Sequence, residues 1–168
     1  MPSKDRPSPP AGLSWRWCRF DALTVVELQH IYAARQQVFV LEQQCIYLDV
    51  DGHDEAAYHL AAWSDTQRMP VAYARLLDPS EKYAEPSMGR VLTIAAARGT
   101  GLGRELVRRV ISGSAEAWPR RGIRISAQAY LDRFYRGFGF SAVGQPYDED
   151  GILHVEMLMP QAAVRVAI

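Results

Sequence analysis

The sequence predicts one α/β domain, and three observations carry that prediction. Short runs rich in β-branched and aromatic residues alternate with two long stretches whose apolar residues recur at helical spacing. Two of the short runs, 58–63 and 71–77, are separated by the polar turn 64–68, as in a hairpin. A glycine-rich loop stands between a strand-like run and the clearest amphipathic stretch of the chain.

The elements follow in order. Residues 15–20 alternate aromatic with polar side chains, the pattern of an edge strand. Residues 24–44 carry Leu28, Ile31, Tyr32, Val38 and Phe39 at a spacing near 3.6, which predicts a helix. After the hairpin, 90–94 is a further strand that ends on an alanine-rich step. Leu102, Leu106, Val107, Val110 and Ile111 then form one apolar stripe with Arg104, Arg108 and Arg109 off it, and Pro119 stops the helix after Trp118. Residues 123–128 are a strand and 131–138 a short helix closed by Gly139. Residues 142–143 and 152–159 form a closing pair around Asp150-Gly151.

At 168 residues the chain suits a single domain with a real core. Residues 1–12 hold four prolines and almost no large apolar side chains, so they are expected to be a loose tail before a domain spanning 13–168. Lys plus Arg and Asp plus Glu both number 19, which argues against a nucleic-acid partner, since that function gathers basic excess. No apolar run approaches the roughly 20 residues of a membrane helix, and the start of the chain is unlike a secretory signal. A cytoplasmic protein without a membrane partner is the expectation. Cys18 and Cys45 are too few and too far apart for a thiolate metal cage, and no residue near Cys45 would activate it as a nucleophile.

The loop Arg98-Gly99-Thr100-Gly101-Leu102-Gly103 leaves backbone N–H groups free where the helix begins, and these can converge on one anion. Arg98 and Arg104 add charge to the helix dipole. A dinucleotide fingerprint fails, because Arg104 stands where the last glycine belongs. A P-loop fails too, for want of a Gly-Lys-Ser or Gly-Lys-Thr. A plain flexible start to the helix remains open on the loop alone.

Arg98-Gly99-x-Gly101-x-Gly103 is similar to the R/Q-x-x-G-x-G/A signature of GNAT acyltransferases. Downstream, Gln128, Phe134-Tyr135 and Gly139-Phe140 resemble that family's second signature, with Gln128 replacing the usual Asn and Leu131 an Ala. Val38-Phe39-Val40, Glu42-Gln43, Cys45, Tyr47, Asp49, Asp51-Gly52, Ala127-Gln128-Ala129 and Asp150-Gly151-Ile152-x-His154 look like the bacterial ElaA branch. The resemblance implies an α+β fold with a mixed, mostly antiparallel central sheet, flanking helices and a splayed strand pair. It implies an acetyl-CoA-dependent N-acetyltransferase that moves the acetyl group directly to a primary amine. The acceptor's identity stays open, as does oligomeric state, a homodimer included; the rival is a non-catalytic acyl-CoA-binding regulatory module.

By the same resemblance, the backbone of Leu92, Thr93 and Ile94 would hold the pantetheine arm. Gly99 to Arg104 would hold the pyrophosphate, Gln128 would bond the arm, and Tyr135 would protonate the departing sulfur. Strand alternation puts His154 and Glu156 on one face of the last strand, which makes His154 a candidate base and acceptor contact. Arg35, Phe39 and Glu42 recur at helical spacing as a candidate cleft wall, with Glu42 the alternative base. Asp49, Asp51, Asp54 and Glu55 are weighed as a field for a cationic amine against solvated loop acids. No metal is expected. The 49–55 segment lacks the twelfth-position Glu of an EF-hand, and His53 and His59 have no zinc spacing.

Overall fold

The computed structural model describes residue 10 and residues 12–161; the expected loose tail lies outside these apart from Pro10 and Gly12. The chain runs β1 (Leu13–Arg19), α1 (Val25–Arg35), β2 (Ala57–Ser64), β3 (Ala72–Leu77), β4 (Ser87–Thr93) and α2 (Leu102–Ala117). It continues through β5 (Ile123–Gln128), α3 (Asp132–Arg136), β6 (Ser141–Ala142), β7 (Tyr147–Glu149) and β8 (Ile152–Met159). The strands make one sheet in the order β1-β2-β3-β4-β5-β8-β6, and β7 also pairs with β8. All pairings are antiparallel except β4 with β5, which is parallel. This is the mixed, mostly antiparallel sheet with flanking helices that the sequence leads one to expect.

Strand alternation builds a core on each face of the sheet. On one face the α2 stripe Leu102, Leu106, Val107, Val110 and Ile111 packs against Leu60, Ala62, Ala72, Ala74 and Leu76 of β2 and β3. On the other, Ile31, Ala34, Val38 and Phe39 cover Ala61, Tyr73 and Leu92. A capping box starts α1, with the Thr24 side chain accepting from Glu27 N–H and Glu27 accepting from Thr24 N–H.

Three elements differ from the sequence expectation. The helix over 24–44 is two segments, because after Arg35 the chain widens into a π-helix, Gln36–Glu42, with Gln43 N–H donating to Val38 C=O. Strand β4 begins at Ser87 instead of residue 90, and Arg90 lies inside it as the residue that breaks its regularity. The three-residue β7 was not foreseen, since Tyr147–Glu149 is too short and too acidic to show a strand pattern.

Gly113 sits mid-helix beneath the edge strand, and a Cβ there would lie 2.6 Å from the Trp17 ring, which is itself stacked on Tyr58 at 4.8 Å. Alanine would gain up to about 1 kcal/mol of helix propensity and lose about 1–3 kcal/mol to overpacking of a ring that cannot step aside. Gly113→Ala should therefore lower stability by about 1–2 kcal/mol in urea unfolding; a gain in stability would show that β1 shifts freely.

Candidate active site

β4 and β5 share one register position, Ser87 with Arg124, supported by Arg124 N–H donating to Pro86 C=O at 3.0 Å. Beyond it the two strands part. The parting coincides with a bulge in β4: Tyr73 faces Leu92 and Arg75 faces Gly89, so Arg90 and Val91 together oppose Ala74. Arg90 takes φ 51°, a left-handed backbone that non-glycine residues seldom adopt. A cavity of about 630 Å³ opens between Met88–Val91 on one wall and Ile125–Gln128 on the other.

The glycine-rich loop lies just past the end of β4 and outside the wall of that cavity. Gly99 and Gly101 have φ of 78° and 89°, and Gly101 caps α2 without a side-chain bond. The Thr100 hydroxyl donates to Ala97 C=O and accepts from Leu102 N–H, which fixes the turn, while buried Leu102 anchors it. Among the described residues, the N–H groups of Gly101 and Gly103 have no acceptor. A Cβ on Gly101 would stand in open space and one on Gly103 at an ordinary 3.8 Å from Thr93 Cγ2. The chain's own packing therefore does not demand glycine at 103, whereas an anion drawn close to these N–H groups would. Arg104 lies over the rings of Phe138 and Phe134, 5.0 and 5.9 Å from their centroids. Arg98 donates to Thr93 C=O and pairs with Glu42, tying the loop to both β4 and the π-helix.

Tyr135 and His154 line the same cavity from different elements. Tyr135 is packed edge-on between Phe134 and Phe140, and burial pushes its phenol well above the usual range, so it keeps its proton. His154 Nδ1 donates to Ile152 C=O at 2.8 Å, which leaves the lone pair of the neutral ring on Nε2. That atom stands 3.7 Å from a Glu149 carboxylate oxygen, and the ring stacks on Tyr147. The Tyr147 hydroxyl meets Ser126 Oγ, which donates on to Glu149 at 3.2 Å. Gln128 also lines the cavity and donates its amide to Gln43 Oε1 at 3.1 Å. Tyr147, Glu149, Ser126 and Gln43 were not singled out as site residues in the sequence. The β5–β8 register, which sets Gln128 opposite His154, the β7–β8 pairing, which sets Tyr147 opposite His154, and the end of the π-helix, which carries Gln43, bring them together.

The structure places only one of Arg35, Phe39 and Glu42, the expected cleft wall, on this cavity. Phe39 lines the cavity. Arg35 is 0% exposed and is held by Asp49 and Asp54, each at 2.8 Å, so it cannot reach a ligand. Glu42 does not line the cavity and faces Arg98 instead. Leu92 is buried in the core, as expected for its side chain, and Thr93 and Ile94 continue β4 toward the loop.

The aspartates of the 49–54 loop are paired with arginines: Asp49 and Asp54 are buried, Asp51 is part-exposed on the cavity wall, and Glu55 stays exposed. Arg75 grips Asp51 through two bonds of 2.7 Å and Asp54 at 2.9 Å; Arg90 reaches Asp49 at 2.7 Å and Asp51 at 3.0 Å. Burial alone would raise the Asp51 carboxyl, but hydrogen bonds and charge from Arg75, with help from Arg90, hold it well below the usual range. The same balance, with Arg35 foremost, lowers Asp54. Three arginines offset three aspartates, and removing one member would leave a buried charge uncompensated at a cost of about 3–5 kcal/mol. His59 is buried and neutral beside them, donating from Nε2 to Asp54 C=O and accepting from the Tyr73 hydroxyl.

Among the described residues no group of three or more His, Cys, Asp or Glu is placed to hold a metal, and no helix is long and apolar enough to cross a membrane. Residues 28–160 match the family described as the acetyltransferase (GNAT) domain. The chain is 47% identical over 146 residues to a UPF0039 protein of Synechocystis, covering 87% of this chain and 94% of that protein. It is 35% identical over 147 residues to protein ElaA of Escherichia coli, covering 86% of this chain and 95% of that protein. The crystal structure of an acyl-CoA N-acyltransferase from Pseudomonas aeruginosa is similar with a TM-score of 0.83 at 40% identity, covering 87% of this chain and 98% of that one. Parted central strands, a glycine loop opening a helix and these likenesses agree: the chain belongs to the GNAT acetyltransferase family, alongside proteins of the ElaA type.

Proposed function

We propose that this protein transfers the acetyl group of acetyl-CoA directly to a primary amine. The observation that carries this reading is the meeting of Tyr135 and His154 on the wall of one cavity, between strands whose facing edges are unpaired. A binding module would need the slot and the loop, but not a protonated phenol and an imidazole facing the same space.

The residues fit an acyl-CoA as cosubstrate. By family likeness the backbone from Leu92 to Ile94 would bond an extended arm, for which Thr93 C=O, now accepting from Arg98, would have to be released, while Ile94 N–H stays with Val71 C=O; the N–H groups at Gly101 and Gly103 suit a pyrophosphate. Gln128, already bonded to Gln43, would hold the arm near the thioester. In the transfer, the amine nitrogen attacks the thioester carbonyl carbon as the bond to sulfur breaks. His154 Nε2 takes the proton the nitrogen loses, and Glu149 stabilises the resulting imidazolium. Tyr135 donates its proton to the departing sulfur. Both cysteines have thiols raised chiefly by burial, which supports a direct route over an acyl-enzyme. Two free cysteines fit a reducing, cytoplasmic setting, and we take the functional domain to begin at residue 13.

Incubation with acetyl-CoA and a panel of amines, with free thiol followed, tests the activity: amine-dependent release supports it, and tight binding without release favours the regulatory module. Gly101→Val places a β-branched residue at φ 89° and should raise the acetyl-CoA KM about tenfold, a cost of about 1–2 kcal/mol; an unchanged KM counts against the pyrophosphate site. Tyr135→Phe should lower kcat about a hundredfold with little change in acetyl-CoA affinity, and wild-type kcat would remove the assignment. His154→Asn should lower kcat about a hundredfold with little change in acetyl-CoA affinity, and wild-type kcat would exclude His154 as the base.

A further inference from the structure

The bulge of β4 is built around a residue badly suited to it. Left-handed bulge positions favour glycine because a Cβ crowds the backbone there, and Gly89 is the neighbour. Yet Arg90, with φ 51°, occupies the position. What compensates is visible at the far end of its side chain. Its Nε lies 2.7 Å from Asp49 Oδ1, and its Nη2 donates at 3.0 Å to both Asp51 Oδ2 and the Asp49 carbonyl. The Tyr47 ring lies 5.1 Å from the guanidinium carbon. The two aspartates are themselves fixed by Arg35 and Arg75, so the guanidinium meets a rigid, charged socket and not a mobile loop.

The consequence for the sheet is specific. The extra residue reverses the alternation of β4: Met88 and Val91 pack toward α2, while Leu92 joins the core on the α1 side. Pairing with β5 is recorded on the N-terminal side of the bulge only.

We propose that Arg90 is a positioning residue: its guanidinium, gripped by Asp49 and Asp51, holds residue 90 in the left-handed bulge that parts β4 from β5 and keeps the acyl-CoA slot open. The role in cofactor binding rests on the acyl-CoA reading above; the role in holding the backbone does not. Arg90 acts through the main chain, and the carboxylates of the 49–54 loop serve as its socket instead of binding the amine.

Arg90→Ala and Arg90→Gly test this together, because both lose the same side-chain contacts and differ in backbone freedom at φ 51°. Urea unfolding reads the clamp without any ligand. Arg90→Gly should be the more stable of the two, the reverse of the usual order within a strand; Arg90→Ala equal to or more stable than Arg90→Gly would overturn the proposal. Calorimetric titration with acetyl-CoA reads the slot: Arg90→Ala should bind at least tenfold more weakly than the wild type and Arg90→Gly within about threefold of it. Equal weakening in both variants would mean that the side chain itself contacts the ligand, and wild-type affinity in Arg90→Ala would mean the clamp is dispensable; either overturns the role in binding. Should Arg90→Ala fail to fold, Arg90→Lys, which keeps the Cβ and the charge but not the Nη2 bonds to Asp49 C=O and Asp51, is compared with Arg90→Gly on the same scales. If the wild type itself binds no acetyl-CoA, the acyl-CoA reading falls, and the order of stabilities still decides the clamp.

Discussion

Two neighbouring strands that pair at one position and then separate, β4 and β5, constrain everything else in this protein. Central strands of a sheet normally satisfy their backbone donors and acceptors on both sides, and a buried unpaired edge is costly. The chain keeps the separation open by leaving it as a cavity. It supports the flanks by pairing, β3 to β4 across the bulge on one side and β5 to β8 in regular register on the other. In the function proposed above, an extended acyl-CoA arm would occupy this slot and bond to the strand edges. The glycine loop at the start of α2 follows directly on the end of β4, outside the cavity wall. Fold and cosubstrate class are therefore linked by a single irregularity in the sheet.

The acidic loop illustrates how burial changes what a charge means. Asp49, Asp51 and Asp54 could steer a cation if they stood in water, but here each faces arginine, and the cluster is close to neutral as a unit. Its contribution is to geometry. It joins α1 through Arg35, β3 through Arg75 and β4 through Arg90, so the wall of the cavity is braced from three elements. A buried network of this kind adds little net stability compared with an apolar core, yet it allows few alternative arrangements because every unpaired charge is heavily penalised. The left-handed residue in β4 is held within that brace.

The chemistry gathers at the opposite wall. His154 owes its tautomer to a carbonyl two residues earlier, and Glu149 reaches it only because the β7–β8 turn folds back over the strand. Tyr135 comes from α3 on the other side, carried in by an aromatic cluster. The π-helix after α1 places Phe39 and Gln43 against the same cavity while Glu42 turns toward Arg98. Side chains from four separate segments thus surround one space.

The amino-acid sequence by itself determined the periodic elements and the glycine-rich loop that opens α2. The α2 stripe, the β2–β3 hairpin, the run of glycines after Arg98 and the facing of His154 depend on local spacing and backbone freedom, which neighbouring residues decide. Tertiary structure alone decided that Arg35 is buried, that Glu42 faces Arg98 and that the loop aspartates are neutralised. Those outcomes depend on which charges meet across distant elements, and desolvation makes that meeting decisive without leaving a periodic trace. It also decided the bulge at Arg90, because a residue disfavoured in left-handed backbone gives no local signal of adopting it; the partners that hold it there lie about forty positions away in the chain.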